Sequence, residues 1–163
     1  AFVYPFKRKG GEKPMPISIV AMAVVFNSWN AYLNGHWLFA LGPVRGADWL
    51  LDPRFIAGAA LFLCGMAVNL KSDAILSKLR RPGELDYKIP RGGLYRFVTM
   101  PNYLGELMEW FGFALATWSL SGLAFAVFTA ANLVPRALSN HRWYREKFPD
   151  YPAERKAIVP FVL

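Results

Sequence analysis

The run from Asn102 to Val134 holds only two charged residues, Glu106 and Glu109. It is too long for one membrane-crossing helix, which needs about 20 mostly apolar residues. It breaks at TWSLSG, residues 117–122, so two antiparallel helices joined by a tight turn are expected. Two further apolar segments precede it. Residues 15–41 read MPISIVAMAVVFNSWNAYLNGHWLFAL, and residues 54–72 centre on FIAGAALFLCGMAV. The expected fold is all-α, a multi-spanning transmembrane helical bundle with about four spans on this chain. The second half of the first segment carries Asn27, Asn30, Asn34 and His36. That half should face protein or water rather than lipid. Composition agrees, with 55% hydrophobic, 16% aromatic and only 18% charged residues. An ordinary soluble domain is less apolar.

The formal net charge is +8, which points to nucleic acid or an anionic surface. The apolar runs decide for the membrane, and no nucleic-acid partner is expected. Of the 19 Lys and Arg residues, all but Arg45 and Arg54 fall in three segments, 7–13, 71–96 and 136–156. With four spans these segments share one side of the bilayer. The positive-inside rule makes that side cytoplasmic. Topology alone would account for most of this charge. The chain opens in mid-pattern at AFVYPF. It reads as one membrane domain over residues 1–163, with earlier helices expected upstream. Cys64 is the only cysteine and sits in an apolar run, which suits packing. His36 and His141 are far apart with no ligand cluster around them, so no metal is expected. Gly10-Gly11 and Gly92-Gly93 read as turns, not as a phosphate-binding loop.

Three polar groups repeat at the spacing that shares one helix face. Asn69, Asp73 and Arg80 run out of the second span before Pro82. Asn102, Glu106 and Glu109 open the third, where Pro101 suits the first helical turn. Arg136, Asn140 and Tyr144 follow the fourth. On the topology above all three groups lie at cytoplasmic ends, where they can share one polar cavity. A solvated helix end would explain the first group, and interfacial anchoring would explain Arg136 and Tyr144. Glu106 and Glu109 are harder to set aside. A carboxylate inside a span costs about 2.5–3.5 kcal/mol, so it has a partner or a job. Pairing with Arg80 or Arg136 is the structural alternative.

The stretch NLKSDAILSKLRRPGELDYKIPRGGLYRFVTMPNYLGELMEWFGFALATWSL resembles the C-terminal half of the steroid 5α-reductases. So does the ending HRWYREKFPDYPAERKAIVPFVL, and, more loosely, FVY and FNSWNAYLNG. PNYLGE by itself is shared with enoyl-CoA and polyprenol reductases, sterol C14 reductases and isoprenylcysteine methyltransferases. LRRPGE, ALATWSL and the ending together are far more specific.

The resemblance implies a seven-helix membrane enzyme that uses NADPH, entering from the cytoplasm, to reduce the double bond of a 3-oxo-Δ4-steroid arriving from the bilayer. The residues matching the family's cofactor site are Asn69, Asp73, Arg80, Tyr87, Asn102, Glu106, Arg136 and Tyr144. Lys88 stands where an Arg is typical, Asn140 where animal members have His, and Met22 where they have an Arg near the substrate. These departures suggest a distant member, a bacterial one being one option. The membrane would be the inner membrane in a bacterium and the endoplasmic reticulum in a eukaryote. Arg80, Lys88 and Arg136 are the expected phosphate ligands. Asn102 and Glu106 would hold the nicotinamide amide, with Glu106 the candidate catalytic group on this chain. Asp73 and Asn69 would hold ribose or adenine groups, Lys88 and Asn140 would complete the cofactor site, and Trp110 and Met22 would flank the substrate. The ketone-polarising Tyr and Glu of the family are expected upstream of this chain. The competing readings are an enoyl-CoA or polyprenol reductase, a membrane methyltransferase using S-adenosylmethionine, and a non-catalytic scaffold.

Overall fold

The computed structural model describes residues 16–79 and 86–163. Arg80, Arg81, Gly10-Gly11 and the basic segment 7–13 lie outside them. The described chain is helical, in four main helices: α1 (Ile17–His36), α2 (Pro53–Leu79), α3 (Pro101–Thr117) and α4 (Leu120–Lys147). Short helical turns at Trp37–Leu41, Ala47–Leu51 and Gly93–Arg96 join them. Among the described residues, α2 and α4 are long and apolar enough to cross a membrane. The apolar part of α4 ends at Val134, and its polar extension begins at Arg136.

The long apolar run divides where the sequence breaks. Pro101 starts α3 at a position that needs no N–H donor. Trp118 ends it in the left-handed conformation, φ 43°, a cap that glycine usually supplies. Ser119 then starts α4, its hydroxyl accepting from the Gly122 N–H at 3.1 Å. Arg145 and Lys147 in the last turn of α4 suit the negative end of its dipole.

Size governs how α2 and α3 meet. Gly58 and Gly65 stand seven residues apart on α2, as Gly105 and Gly112 do on α3, so each pair shares one helix face. A methyl group on Gly58 would lie 2.7 Å from the Gly112 carbonyl oxygen, and the reverse distance is also 2.7 Å. The two backbones touch along this seam, with only hydrogen atoms for side chains at the crossing points. The seam makes α2 and α3 antiparallel, and the turn at Trp118 makes α4 antiparallel to α3. The C-terminal ends of α2 and α4 therefore share one end of the bundle with the start of α3. This is the basic end.

Residues 97–100 close that end by pairing with residues 156–157. Lys156 N–H donates to Phe97 O at 2.9 Å, Thr99 N–H to Lys156 O at 2.8 Å and Met100 N–H to Ala157 O at 3.1 Å. Ala157 and Ile158 are buried there with Ala137 of α4, under Met100, Tyr103, Leu104 and Leu107. Gly92 and Gly93 form the expected turn, with φ of 94° and 51°.

In the first helix Asn30 and Asn34 are partly buried while Asn27 and His36 are exposed, and the Asn27 amide donates to Ala23 O at 2.7 Å. A side chain satisfied by its own helix tolerates an apolar surrounding. Asn34 likewise donates to Asn30 O and Oδ1.

Candidate functional site

The glycine seam brings two of the three polar groups together. One turn beyond Gly65, Asn69 Nδ2 donates to the Asn102 backbone carbonyl at 3.2 Å. The half-buried Glu106 carboxylate lies within electrostatic reach of Asn69 and Asp73, and Glu109 within reach of Glu106 and Asp73. Asp73 lies exposed on the following turn of α2. The Asn102 Oδ1 atom is buried with no hydrogen-bond partner.

The third group comes in from α4. Asn140 Nδ2 approaches Met100 Sδ at 3.9 Å, at the threshold of α3. Tyr144 stacks on Tyr151 at 5.5 Å and on Phe148 at 5.7 Å. Tyr87 sets its ring edgewise to Trp143 at 4.9 Å. Lys88 is exposed nearby in sequence. Arg136 is exposed, and no ion pair joins it to Glu106 among the described residues. The pairing of Glu106 with Arg80 falls outside the described residues.

Trp110 stands one turn beyond Glu106 and contacts α4. Its ring meets Phe125 of α4 at 4.3 Å, and Phe125 in turn meets Phe26 of α1 at 6.0 Å. Met22 is 68% exposed and stands one turn before Phe26 on the same face of α1. A crevice of about 180 Å³ runs between α1 and α4, lined by Phe26, Asn34, Ser121 and Phe125 among others. Asn34 Oδ1 and Ser121 Oγ are buried without partners.

Three features at the basic end were not visible in spacing. Tyr95 is 1% exposed, and its hydroxyl has no partner. Burial first, then the nearness of Asp73, Tyr144 and Tyr103, pushes its ionisation well above the usual tyrosine range. The second is a network around the buried Thr99. Its hydroxyl meets His141 Nδ1 at 2.6 Å and the Tyr151 hydroxyl at 2.7 Å, and donates to Lys156 O at 3.2 Å. With that one proton spent on Lys156, Tyr151 and an Nδ1-protonated His141 act as donors. Burial, then the charges of Arg145 and Lys156, holds the His141 pKa below its ordinary value. The third is Arg155, buried over the Tyr151 ring at 5.2 Å with Nε and Nη1 unpaired. The Thr99 network depends on residues 97–100 meeting residues 151–157, and the surroundings of Tyr95 on Asp73, Tyr103 and Tyr144 from three helices, so no short-range pattern announces them.

The opposite end holds the two remaining cations. Arg45 and Arg54 lie over the Trp49 ring at 4.2 and 4.7 Å. Trp49 Nε1 donates to Ala116 O at 3.0 Å and Arg45 to Trp118 O at 3.4 Å, so both serve the open carbonyls that end α3. The Arg54 guanidinium beside Asp52 holds that carboxyl down at about 2.

The profile of the family described as 3-oxo-5-alpha-steroid 4-dehydrogenase matches residues 13–163. The chain belongs to this family. It is 50% identical over 163 residues to the Bos taurus protein 3-oxo-5-alpha-steroid 4-dehydrogenase 1, covering 100% of this chain and 63% of the relative. The Homo sapiens protein of the same name is 51% identical over 160 residues, 98% of this chain and 61% of the relative. Steroid 5-alpha-reductase DET2 of Solanum lycopersicum is 47% identical over 163 residues, 98% of this chain and 63% of the relative. The chain thus spans about three-fifths of the length of these relatives. Membership in the 3-oxo-5-alpha-steroid 4-dehydrogenase family and two long apolar helices together suggest a membrane protein. Among the described residues there is no cluster of three His, Cys, Asp or Glu able to hold a metal.

Proposed function

We propose that this chain carries the cofactor end of a membrane enzyme that reduces the C4–C5 double bond of 3-oxo-Δ4-steroids with NADPH. Family membership supports the reaction class. One structural observation carries the site: Asn69, Asn102 and Glu106, from two helices, meet at the basic end beside a buried amide oxygen left open. A buried polar atom without a partner costs about 1–3 kcal/mol, which a bound ligand can recover.

The donor and acceptor set fits a dinucleotide. The open Asn102 Oδ1 accepts from a carboxamide N–H, and Glu106 accepts from the same group and orients it. Asn69 and Asp73 suit ribose hydroxyls or adenine, with Tyr87, Asn140 and Tyr144 at the rim. Arg80, Lys88 and Arg136 suit phosphates, Arg the better for two-pronged contacts. NADPH, when bound, supplies the hydride that the enone β-carbon accepts. The chain's own residues hold the reacting ends in register and keep water away. Trp110 and Phe125 offer the flat apolar wall that a steroid ring system needs, with Met22 on the neighbouring helix face.

The same reading assigns four membrane spans and puts the basic end in the cytoplasm. The site then opens towards the cytoplasmic pool of reduced dinucleotide. In a eukaryotic cell the membrane is the endoplasmic reticulum, and in a bacterium the inner membrane.

The test is incubation of the full-length protein, which carries the upstream helices this reading requires, in nanodiscs with NADPH and a Δ4-3-ketosteroid. Loss of the enone absorbance and a 5α hydrogen by NMR are expected. An unchanged enone sinks the reading. Stabilisation by S-adenosylmethionine, and not by NADPH, in a thermal melt would favour the methyltransferase instead.

A further inference from the structure

The segment after Lys156 runs alongside the helices rather than away from them. Ile158 is fully buried in a cluster with Ala137 and Ala157, against which Met100 and, from the first two turns of α3, Tyr103, Leu104 and Leu107 pack. Leu107 is six residues into that helix, about 9 Å along its axis. Residues 157–159 thus lie beside the opening turns of the apolar run. The backbone then folds back on itself. Ile158 and Val159 N–H both donate to Leu163 O, at 2.8 and 2.7 Å, and Leu163 N–H donates to Val159 O at 3.1 Å.

The turn is closed, yet its side chains point out. Phe161 is 79% and Val162 76% exposed. Phe161 also holds a φ of 66°, a left-handed backbone that bulky residues avoid. Strain of this kind persists where surrounding contacts impose it, and it invites a functional account. Beside the tip, the Phe97 ring tilts against Phe161 at 5.5 Å. The exposed Arg96 guanidinium lies over Phe97 at 4.6 Å. An apolar tip next to an exposed cation held over an aromatic ring is the chemistry of a bilayer interface.

We propose that the turn Val159–Leu163, with Phe97 and Arg96, is an interfacial lipid anchor at the basic end of the bundle. Phe161 and Val162 enter the boundary between headgroups and acyl chains, and Arg96 meets lipid phosphate. The anchor rests on the chain being a membrane protein and stands apart from the reductase reading. It would clamp residues 97–100, and through them the start of α3, to the bilayer surface.

The test uses the protein in phosphatidylcholine–phosphatidylserine nanodiscs, in a Cys64→Ser background. Phe161→Cys, Val162→Cys and, as reference, Asp150→Cys are each labelled with bimane. The labels at 161 and 162 are expected to be quenched several-fold more than that at 150 by lipids bearing a nitroxide near the headgroup, and to be shielded from iodide. Two sites guard against misfolding of one variant. Iodide quenching at 161 and 162 equal to that at 150 would mean the tip is in water and overturn the proposal. Escape from both quenchers would mean a protein cover and overturn it equally.

Discussion

A methyl group added to Gly65 would lie 2.6 Å from the carbonyl oxygen of Gly105, and one added to Gly105 would lie 2.7 Å from that of Gly65. Neither helix can yield without moving the other. Gly65→Ala is therefore expected to destabilise the protein by about 1–3 kcal/mol, the usual cost of overpacking. Asn69 is one turn away, so NADPH affinity should fall with the melting temperature. A thermal melt unchanged by the substitution would contradict this packing.

The bond from Asn69 to the Asn102 carbonyl sets the second expectation. Asn69→Leu removes this donor and leaves the Asn102 carbonyl with its intrahelical bond alone, a cost of about 0.5–1.5 kcal/mol. NADPH Kd should rise by roughly tenfold, the equivalent of about 1.4 kcal/mol. Titration by calorimetry reads it. Glu106→Gln should also weaken NADPH. If it leaves both binding and turnover untouched, the scaffold reading gains.

Trp118 ends α3 in a left-handed conformation while its ring stacks under Arg54 at 5.0 Å. Trp118→Ala loses the ring and keeps the strain. Trp118→Gly loses the ring and relieves it. The glycine variant should be the more stable of the two by about 1 kcal/mol. Equal chemical or thermal stability of the pair would mean the αL residue carries no strain.

His141 gives a pH dependence whose sign is fixed by its depressed pKa. The fold prefers the neutral ring, while the unfolded chain takes up a proton near the ordinary value of about 6.5. The contribution is complete above that value. It declines as pH falls through the window between 6.5 and the lower folded value. The melting temperature of the parent protein should drop more between about pH 7.5 and 5.5 than that of His141→Gln. Parallel pH profiles would remove His141 from the account.

Much of the fold was legible because its signals are local. The break at TWSLSG became Trp118 and Ser119, Pro101 became the first residue of α3, and the spacing of Asn69 with Asn102 and Glu106 marked faces that do meet. That meeting depends on Gly58, Gly65, Gly105 and Gly112, whose pattern carries neither charge nor polarity to mark a face. Arg136 was a candidate partner for Glu106, yet it sits exposed on α4, where helical spacing could not fix its direction. The Thr99 network was not legible, because it needs residues more than forty positions apart to pair across a non-helical segment.

The close seam between α2 and α3 has a mechanical consequence. Those helices are locked backbone to backbone, whereas α1 buries none of its residues. Under a pulling force, α1 should peel away first at low load, and the α2–α3 hairpin should yield last and abruptly.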